Sequence, residues 1–257
     1  MKKTIQIKNL VIGKDQPKIC VPLVGRTIAE LQEEATYLQT LNCDLIEWRV
    51  DFFANIHELE AVKSGLSEIR KFLPHLPLIF TFRSKNEGGE VEISEEYYVA
   101  LNEAVIKSGC VDMIDIELFN DENKIRTLVQ TAHDHYTAVI ISNHDFEKTP
   151  LKQEIIARLR KAQALGCDLA KIAVMPKSTA DVLTLLDATV TMNEQYAECP
   201  IITMSMAEKG MISRIAGEVF GSAITFASAK KASAPGQMTI SDLRQMIELL
   251  HKNLSSC

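Results

Sequence analysis

A lysine stands inside a short apolar run, DLAKIAVMP, at residues 168–176. Such a run, ended by Pro176, is typical of a buried strand of a parallel sheet, where lysine is rarely found. In an apolar pocket beside cations such as Arg49 or Arg83, the charged form of a lysine is disfavoured. The neutral amine then condenses with a ketone or aldehyde to give an imine. Lys171 is therefore the candidate nucleophile.

An imine acidifies the neighbouring carbon–hydrogen bond, so a base is needed to take that proton. His144 ends the preceding apolar run and has an unperturbed pKa of about 6.5, which suits a general base. Arg83 and Arg214 carry guanidinium forks that suit a carboxylate. Residues 228–239, SAKKASAPGQMT, are predicted to form a long loop that closes over the site.

Short apolar runs alternate along the chain with stretches of helical periodicity. The predicted strands are 18–24, 44–51, 76–84, 113–119, 137–145, 168–176, 200–206 and 223–228. The predicted helices include 27–41, 94–109, 151–166, 178–196 and 239–253, the last capped by Thr239 or Ser241. Eight such units predict an α/β fold, a parallel eight-stranded (β/α)8 TIM barrel, as a single domain over residues 1–257. A doubly wound open sheet is the alternative, but no Gly-rich dinucleotide loop follows the first strand. Residues 4–13 are expected to form an N-terminal β-hairpin that closes the barrel bottom.

Alternation along the strands decides which side chains face the barrel axis. In DLIEWRVD the apolar set is Ile46, Trp48 and Val50, which leaves the charged set to point inward. The same parity predicts that the following side chains point inward: Glu47, Arg49, Asp51, Ile79, Thr81, Arg83, Asp115, Glu117, Ser142, His144, Lys171 and Ala173. Most lie near the carboxyl ends of their strands, where barrel sites are built. Removing so many charges from water is costly, which favours a functional site over buried salt bridges alone.

Composition narrows the class of protein. The chain has 257 residues, 46% of them hydrophobic, and a formal net charge of -6 with no long basic run, which argues against nucleic acid. No stretch approaches the roughly 18 apolar residues of a membrane span, and no signal peptide is predicted. The six cysteines lack a C-x-x-C pair and the histidines do not cluster, so we expect no metal. These features predict a cytoplasmic protein.

Seven motifs in order resemble the type I 3-dehydroquinate dehydratase (3-dehydroquinase) family, from about residue 4 to 250. They are EWRVD, FTFRS with EGGE, DMIDIELF, SNHDF, KIAVMP, MSMAEKGMISR and KKASAPGQ. The resemblance implies a (β/α)8 barrel, a homodimer, no metal and no organic cofactor. It also implies a hydro-lyase of the shikimate pathway of aromatic amino acid biosynthesis. Such an enzyme takes water from 3-dehydroquinate to give 3-dehydroshikimate through a lysine Schiff base.

The resemblance also implies a role for each matching residue. Lys171 matches the Schiff-base lysine, His144 the residue that moves the proton, and Glu87 the carboxylate that orients this histidine. Arg214 matches the clamp on the substrate carboxylate. The remaining matches are substrate-binding residues: Glu47, Arg49, Arg83, Ser233 and Gln237.

One position departs from the family. Pro22 stands where some members carry a serine that contacts substrate, so this contact is not carried over, and affinity rather than imine chemistry should be affected. Asp115 and Glu117 are not assigned to substrate and fit a role in neutralising the arginines. The alternatives are a class I Schiff-base aldolase and a non-catalytic barrel that binds a hydroxylated carboxylic acid. Arginines in place of a Gly-rich phosphate nest disfavour the aldolase. The presence of both lysine and histidine disfavours the non-catalytic barrel, and chain length and pattern exclude the smaller type II dehydratase.

Overall fold

The computed structural model describes residues 4–229 and 234–254. The strands are β1 (Ile5–Ile7), β2 (Leu10–Ile12), β3 (Lys18–Leu23), β4 (Leu45–Arg49), β5 (Leu78–Thr81), β6 (Met113–Glu117), β7 (Ala138–Asp145), β8 (Leu169–Val174), β9 (Ile201–Ser205) and β10 (Ile224–Phe226). The α-helices are α1 (Ile28–Leu38), α2 (Leu59–Phe72), α3 (Glu95–Lys107), α4 (Glu122–Asp134), α5 (Lys152–Ala164), α6 (Thr179–Thr191), α7 (Met211–Ile215), α8 (Gly217–Phe220) and α9 (Ile240–Leu254). Within these ranges no helix is long and apolar enough to cross a membrane.

Strands β3 to β10 form one parallel sheet in the order β10-β3-β4-β5-β6-β7-β8-β9. The last strand thus returns beside the first. The Ala223 N–H donates to the Ile201 carbonyl at 2.8 Å, which brings the ends of β9 and β10 together. The sheet is a (β/α)8 barrel, as the alternation of the sequence predicted, and the doubly wound alternative is wrong.

Each predicted strand contains one of the eight barrel strands, and the predicted inward and outward faces are confirmed. Ile46, Trp48 and Val50 pack in the layer between strands and helices, whereas Ile79 and Ala173 belong to the core inside the barrel. Helix α9 is capped by Thr239, whose Oγ1 accepts from the Asp242 N–H at 3.2 Å; this selects between the two predicted caps.

Trp48 fixes the distance between β4 and α2. It is fully buried and makes edge-to-face contacts with Phe53 and Phe80, at centroid distances of 5.7 and 5.8 Å. A Cβ at Gly65 on α2 would lie 2.7 Å from the Trp48 ring, so only glycine allows the helix to come this close. The outward side of β4 is therefore anchored while its inward side carries charged groups.

The predicted N-terminal hairpin is present as the antiparallel pair β1 and β2. Ile12 is fully buried and packs with Leu45, Ile79 and Leu169 in the core inside the barrel. These residues lie toward the amino ends of their strands, opposite the predicted site. The hairpin therefore closes the barrel bottom.

Replacing Ile12 by alanine should test this closure. Loss of a fully buried side chain leaves a cavity in the barrel and should lower the free energy of unfolding by about 2–4 kcal/mol. Val11→Ala on the same strand, at a partly exposed position, should change it by less than about 1 kcal/mol. Urea titration followed by circular dichroism measures both, and equal effects would show that Ile12 does not seal the barrel.

Candidate active site

Lys171 lies near the middle of β8 with its side chain inside the barrel, where it is 5% exposed. Its Nζ donates to Asp115 Oδ2 at 3.0 Å and lies 3.6 Å from Glu47 Oε1. The same atom lies over the Phe226 ring, 4.7 Å from the centroid. The side chains in direct contact with Nζ are thus two acids and an aromatic ring, while Arg49 and Arg83, the cations expected beside the lysine, line the same pocket. Alternation gives the face of each charge, but the register between strands decides which charges meet.

Arg83 is committed to the acidic side chains of β6. Its Nη1 donates to Glu117 Oε1 at 2.8 Å and its Nη2 to Asp115 Oδ1 at 2.8 Å. Ser142 Oγ also donates to Asp115 Oδ1, at 2.6 Å. The predicted role of Asp115 and Glu117 in neutralising an arginine agrees with these contacts. Because the Arg83 fork is occupied, the substrate carboxylate needs another guanidinium.

Asp115 remains an anion beside the lysine. Burial alone would raise the pKa of Asp115, but the positive charges of Arg83 and Lys171 and the Ser142 hydroxyl outweigh it and lower this pKa to about 2. An anion at this position stabilises positive charge on Nζ, whether ammonium or iminium. Asp115 is thus a fixed counter-charge and a poor acceptor for the lysine proton.

Glu87 reaches the site from the tight loop after β5. A Cβ at Gly89 would lie 1.9 Å from the Arg83 carbonyl oxygen, so glycine is required for the loop to fold back on itself. Glu87 Oε2 then accepts the backbone N–H of His144 at 2.9 Å, and Oε1 accepts from Asn143 Nδ2 at 3.0 Å. The EGGE motif therefore places this carboxylate against β7.

The His144 ring is held through Nδ1, which lies 2.9 Å from Glu87 Oε2. When the Glu87 carboxylate is ionised, it accepts this hydrogen bond, so Nδ1 carries the ring proton and the Nε2 lone pair is available as a base. Burial, followed by the positive charges of Arg83, Lys171 and Arg49, lowers the pKa of His144 well below its usual value. The imidazole is therefore neutral, as a general base must be.

Glu87 should titrate close to neutral pH, because burial and then the Glu117 carboxylate raise its pKa to about 8. When the pH falls below this value, Glu87 is protonated and its O–H donates a hydrogen bond to Nδ1, so the single ring proton of the neutral imidazole moves to Nε2. Turnover should therefore decrease as the pH falls, and recover as it rises past about 8.

Glu87→Gln should remove this limb from the kcat profile, because an amide does not titrate, and lower kcat at the optimum. A profile over pH 6–9 measures both effects. A wild-type limb that persists unchanged in Glu87→Gln would contradict the assignment. Arg83 and Asp115 also face Glu87 and are present in both proteins.

Arg214 is a buried cation that, unlike Arg83, bonds to backbone carbonyl oxygens rather than to carboxylates. It is 1% exposed, and its Nη2 and Nη1 donate to the carbonyl oxygens of Pro235 at 3.1 Å and Phe226 at 3.5 Å. In residues 4–229 and 234–254 no carboxylate pairs with it, and its buried Nε has no hydrogen-bond partner there. Burial lowers the pKa of Arg214 to about 10, so it stays charged at neutral pH. Such a group is suited to a substrate carboxylate.

One pocket at the carboxyl end of the barrel collects most of the predicted site residues. Its walls include Glu47, Arg49, Arg83, Glu87, His144, Lys171 and Gln237. Arg214 lies behind this wall, where it contacts the Met204 sulfur at 3.8 Å and Phe226, both of which line the pocket. Ser233 lies outside the described residues.

The described part of the predicted loop packs against the barrel. The Ala207 N–H donates to the Pro235 carbonyl at 3.2 Å, and a Cβ at Gly236 would lie 2.3 Å from the Ala207 carbonyl oxygen. Ala234 and Gln237 line the pocket. These contacts place the described end of the loop over the site.

Several site residues were missed in the sequence. Met204, Met206 and Phe226 line the pocket, and the alternation used for the other strands would have assigned Met204 and Phe226 to the inner face. Asn143 has the opposite parity from His144, and only the folded loop reveals its bond to Glu87. No cluster of His, Cys, Asp or Glu in the described ranges is arranged to hold a metal ion.

The fold and the site together define a barrel enzyme that carries a buried lysine and a histidine–carboxylate pair at the carboxyl end of its strands. The family model for type I 3-dehydroquinase matches residues 19–254. The chain is 61% identical to a 3-dehydroquinate dehydratase of Bacillus licheniformis over 254 residues, covering 99% of this chain and all of that protein.

Solved structures agree. The type I 3-dehydroquinate dehydratase of Clostridium difficile, solved with covalently modified comenic acid, is 51% identical with a TM-score of 0.96, over 98% of this chain and 100% of that one. The 3-dehydroquinate dehydratase of Enterococcus faecalis is 43% identical with a TM-score of 0.90, over 95% and 98%. The chain belongs to the type I 3-dehydroquinase family.

Proposed function

We propose that this chain dehydrates 3-dehydroquinate to 3-dehydroshikimate through an imine on Lys171. The observation that carries the proposal is that Lys171 and the Glu87–His144 pair line one pocket at the barrel mouth, with Arg214, which pairs with no carboxylate among the described residues, directly behind its wall. Family membership supplies the reaction.

The proposed chemistry begins with condensation of Lys171 with the ring ketone: the C=N bond of an iminium forms, and the ketone oxygen leaves as water with two protons of the lysine ammonium. Asp115, 3.0 Å from Nζ, and Glu47 stabilise the positive charge. His144 Nε2 then takes a proton from the adjacent carbon, and the electron pair passes into the iminium.

The same histidine returns its proton to the departing hydroxyl, which leaves as water. A further water hydrolyses the unsaturated imine, so lysine is restored and the net change is loss of one water from the substrate. Glu87 keeps Nε2 pointing into the pocket through both proton transfers.

We assign the substrate carboxylate to Arg214, which lies behind the pocket wall. We assign the ring hydroxyls to Glu47, Arg49 and Gln237, which line the pocket with Lys171. The predicted contact of Ser233 stays a prediction. No metal or organic cofactor enters these steps.

Formation of a conjugated enone from 3-dehydroquinate, followed by ultraviolet absorbance, tests the function. We expect turnover without added metal or cofactor. Cleavage of a sugar phosphate instead would support the aldolase, and binding without turnover would support a non-catalytic barrel.

Arg214→Met should separate binding from stability. It removes the charge that faces the carboxylate, so kcat/KM should fall about 100-fold, mainly through KM. The variant also removes a buried cation that has no counter-charge among the described residues. The melting temperature should therefore stay close to that of the wild type. Arg214→Lys keeps the charge and should recover part of the loss. A wild-type KM in Arg214→Met would refute the assignment.

We further propose that the chain is one domain and forms a cytoplasmic homodimer, as expected from the sequence. Exposed apolar side chains such as Leu183 and Leu249 are available for subunit contact, and the described cysteines form no disulfide. Light scattering of the purified protein tests the dimer: a mass near 28.7 kDa would contradict it.

A further inference from the structure

The catalytic carboxylate is held from behind by a chain of hydrogen bonds that starts on helix α5. Arg158 Nη1 donates to Asn143 Oδ1 at 2.8 Å, Asn143 Nδ2 donates to Glu87 Oε1 at 3.0 Å, and Glu87 Oε2 meets His144 Nδ1 at 2.9 Å. The chain crosses from the helical layer to the barrel mouth.

Arg158 decides which end of the Asn143 amide meets Glu87. A guanidinium only donates hydrogen bonds, so the amide oxygen must face Arg158 and the amide nitrogen must face the carboxylate. With the amide reversed, two donors would oppose each other and a carbonyl oxygen would oppose Glu87. The orientation of Asn143, which is 3% exposed, is thereby fixed from outside the site.

These residues are not ordinary core packing. These four groups (Arg158, Asn143, Glu87 and His144) line an open cleft. Water can therefore replace a partner there if one of their hydrogen bonds is lost. Arg158 is itself held by Glu154, by Asp145 at 3.5 Å and by the Phe119 ring, with 5.4 Å from Cζ to the centroid. The donor that faces Asn143 is therefore itself fixed.

We propose that Arg158 is a positioning residue, which acts through Asn143 to keep the Glu87 carboxylate oriented so that His144 presents Nε2 to the substrate. This inference rests on the proposed roles of Glu87 and His144. Arg158 does not touch the Lys171 pocket, whose lining does not include it.

The pKa of Glu87, which the variants should change, depends on the groups that face its carboxylate. They are His144 and Asn143 from β7, Arg83 from the end of β5, and Glu117 and Asp115 from β6. The Asn143 hydrogen bond favours the ionised carboxylate, whereas burial and the two acids oppose it. Loss of the Arg158 contact lets the amide turn, so the carboxylate becomes easier to protonate.

The test uses Arg158→Met in the full-length protein. We expect kcat to fall about tenfold, since small displacements of catalytic groups cost up to about 100-fold, with KM within twofold of wild type. The acidic limb of the kcat profile should move to higher pH. Arg158→Lys keeps a cationic donor and should restore much of kcat. Arg160→Met, on the exposed face of the same helix and against Tyr196, is the matched control and should behave as wild type.

Asn143→Asp is the second variant, because it keeps a partner for Arg158 while replacing the donor to Glu87 with a negative charge. It should lower kcat further and shift the limb in the same direction. If Arg158→Met and Asn143→Asp lower only the melting temperature and leave the limb in place, the role is structural and the proposal is wrong. If the wild type itself fails to dehydrate 3-dehydroquinate, it is the proposed function that fails.

Discussion

Lys171→Met should lower the turnover of 3-dehydroquinate by a factor of about 10⁴ or more, the scale on which covalent enzymes lose activity without their nucleophile. Methionine keeps the length of the side chain but cannot form an imine. The Asp115 and Glu47 carboxylates lose one counter-charge, yet Asp115 keeps its bonds to Arg83 and Ser142, so the barrel should still fold.

Single-turnover kinetics and calorimetric titration with substrate measure this prediction. Because Arg214 and the hydroxyl-binding side chains remain, Lys171→Met should still bind 3-dehydroquinate. Lys161→Met, which removes an exposed partner of Glu122, controls for loss of a lysine and should keep full activity. Residual turnover within tenfold of wild type would show that Lys171 is not the nucleophile.

His144→Ala should lower kcat by about 10²–10⁴, the usual contribution of general acid–base catalysis. Its effect differs from that of Lys171→Met because the amine is intact. The imine should form on Lys171 and persist, since the variant lacks the imidazole that is proposed to remove the next proton and to assist hydrolysis. Intact-protein mass spectrometry should show an adduct equal to substrate minus water.

The same measurement on Lys171→Met should show no adduct, which separates the two roles. Wild-type kcat in His144→Ala, or the absence of any adduct, would contradict the separate roles proposed for the Lys171 amine and the His144 imidazole. Burial, followed by the positive charges of Arg83, Lys171 and Arg49, lowers the pKa of His144 and keeps the imidazole neutral in the wild type.

The barrel could be predicted from the sequence because its signal is local. Each strand is a short apolar run whose parity follows from alternation, so the inward positions of Lys171, Asp115 and Arg83 were predictable one strand at a time. The hairpin β1–β2 was predictable for the same reason, and its buried Ile12 confirms its place at the barrel bottom.

The pairing of charges could not be predicted in the same way. Register places Lys171 level with Ser142 on β7, and only the assembled barrel brings its Nζ to Asp115 on β6 rather than to an arginine. Asn143 has outward parity and gained its role from the Glu87 loop, whose fold depends on Gly89. Long-range contacts of this kind leave no periodic signal in the sequence.

Imine trapping shows directly which residue binds the substrate covalently. The protein is incubated with 3-dehydroquinate, reduced with borohydride, and digested for peptide mass spectrometry, with Lys171→Met treated in parallel. We predict a substrate-dependent adduct on Lys171 in the peptide that contains β8, and none in the variant. A folded protein that turns over substrate yet yields no adduct on Lys171 would rule out the imine on this residue, and catalysis would then have to be assigned to a route that starts from His144 without an imine.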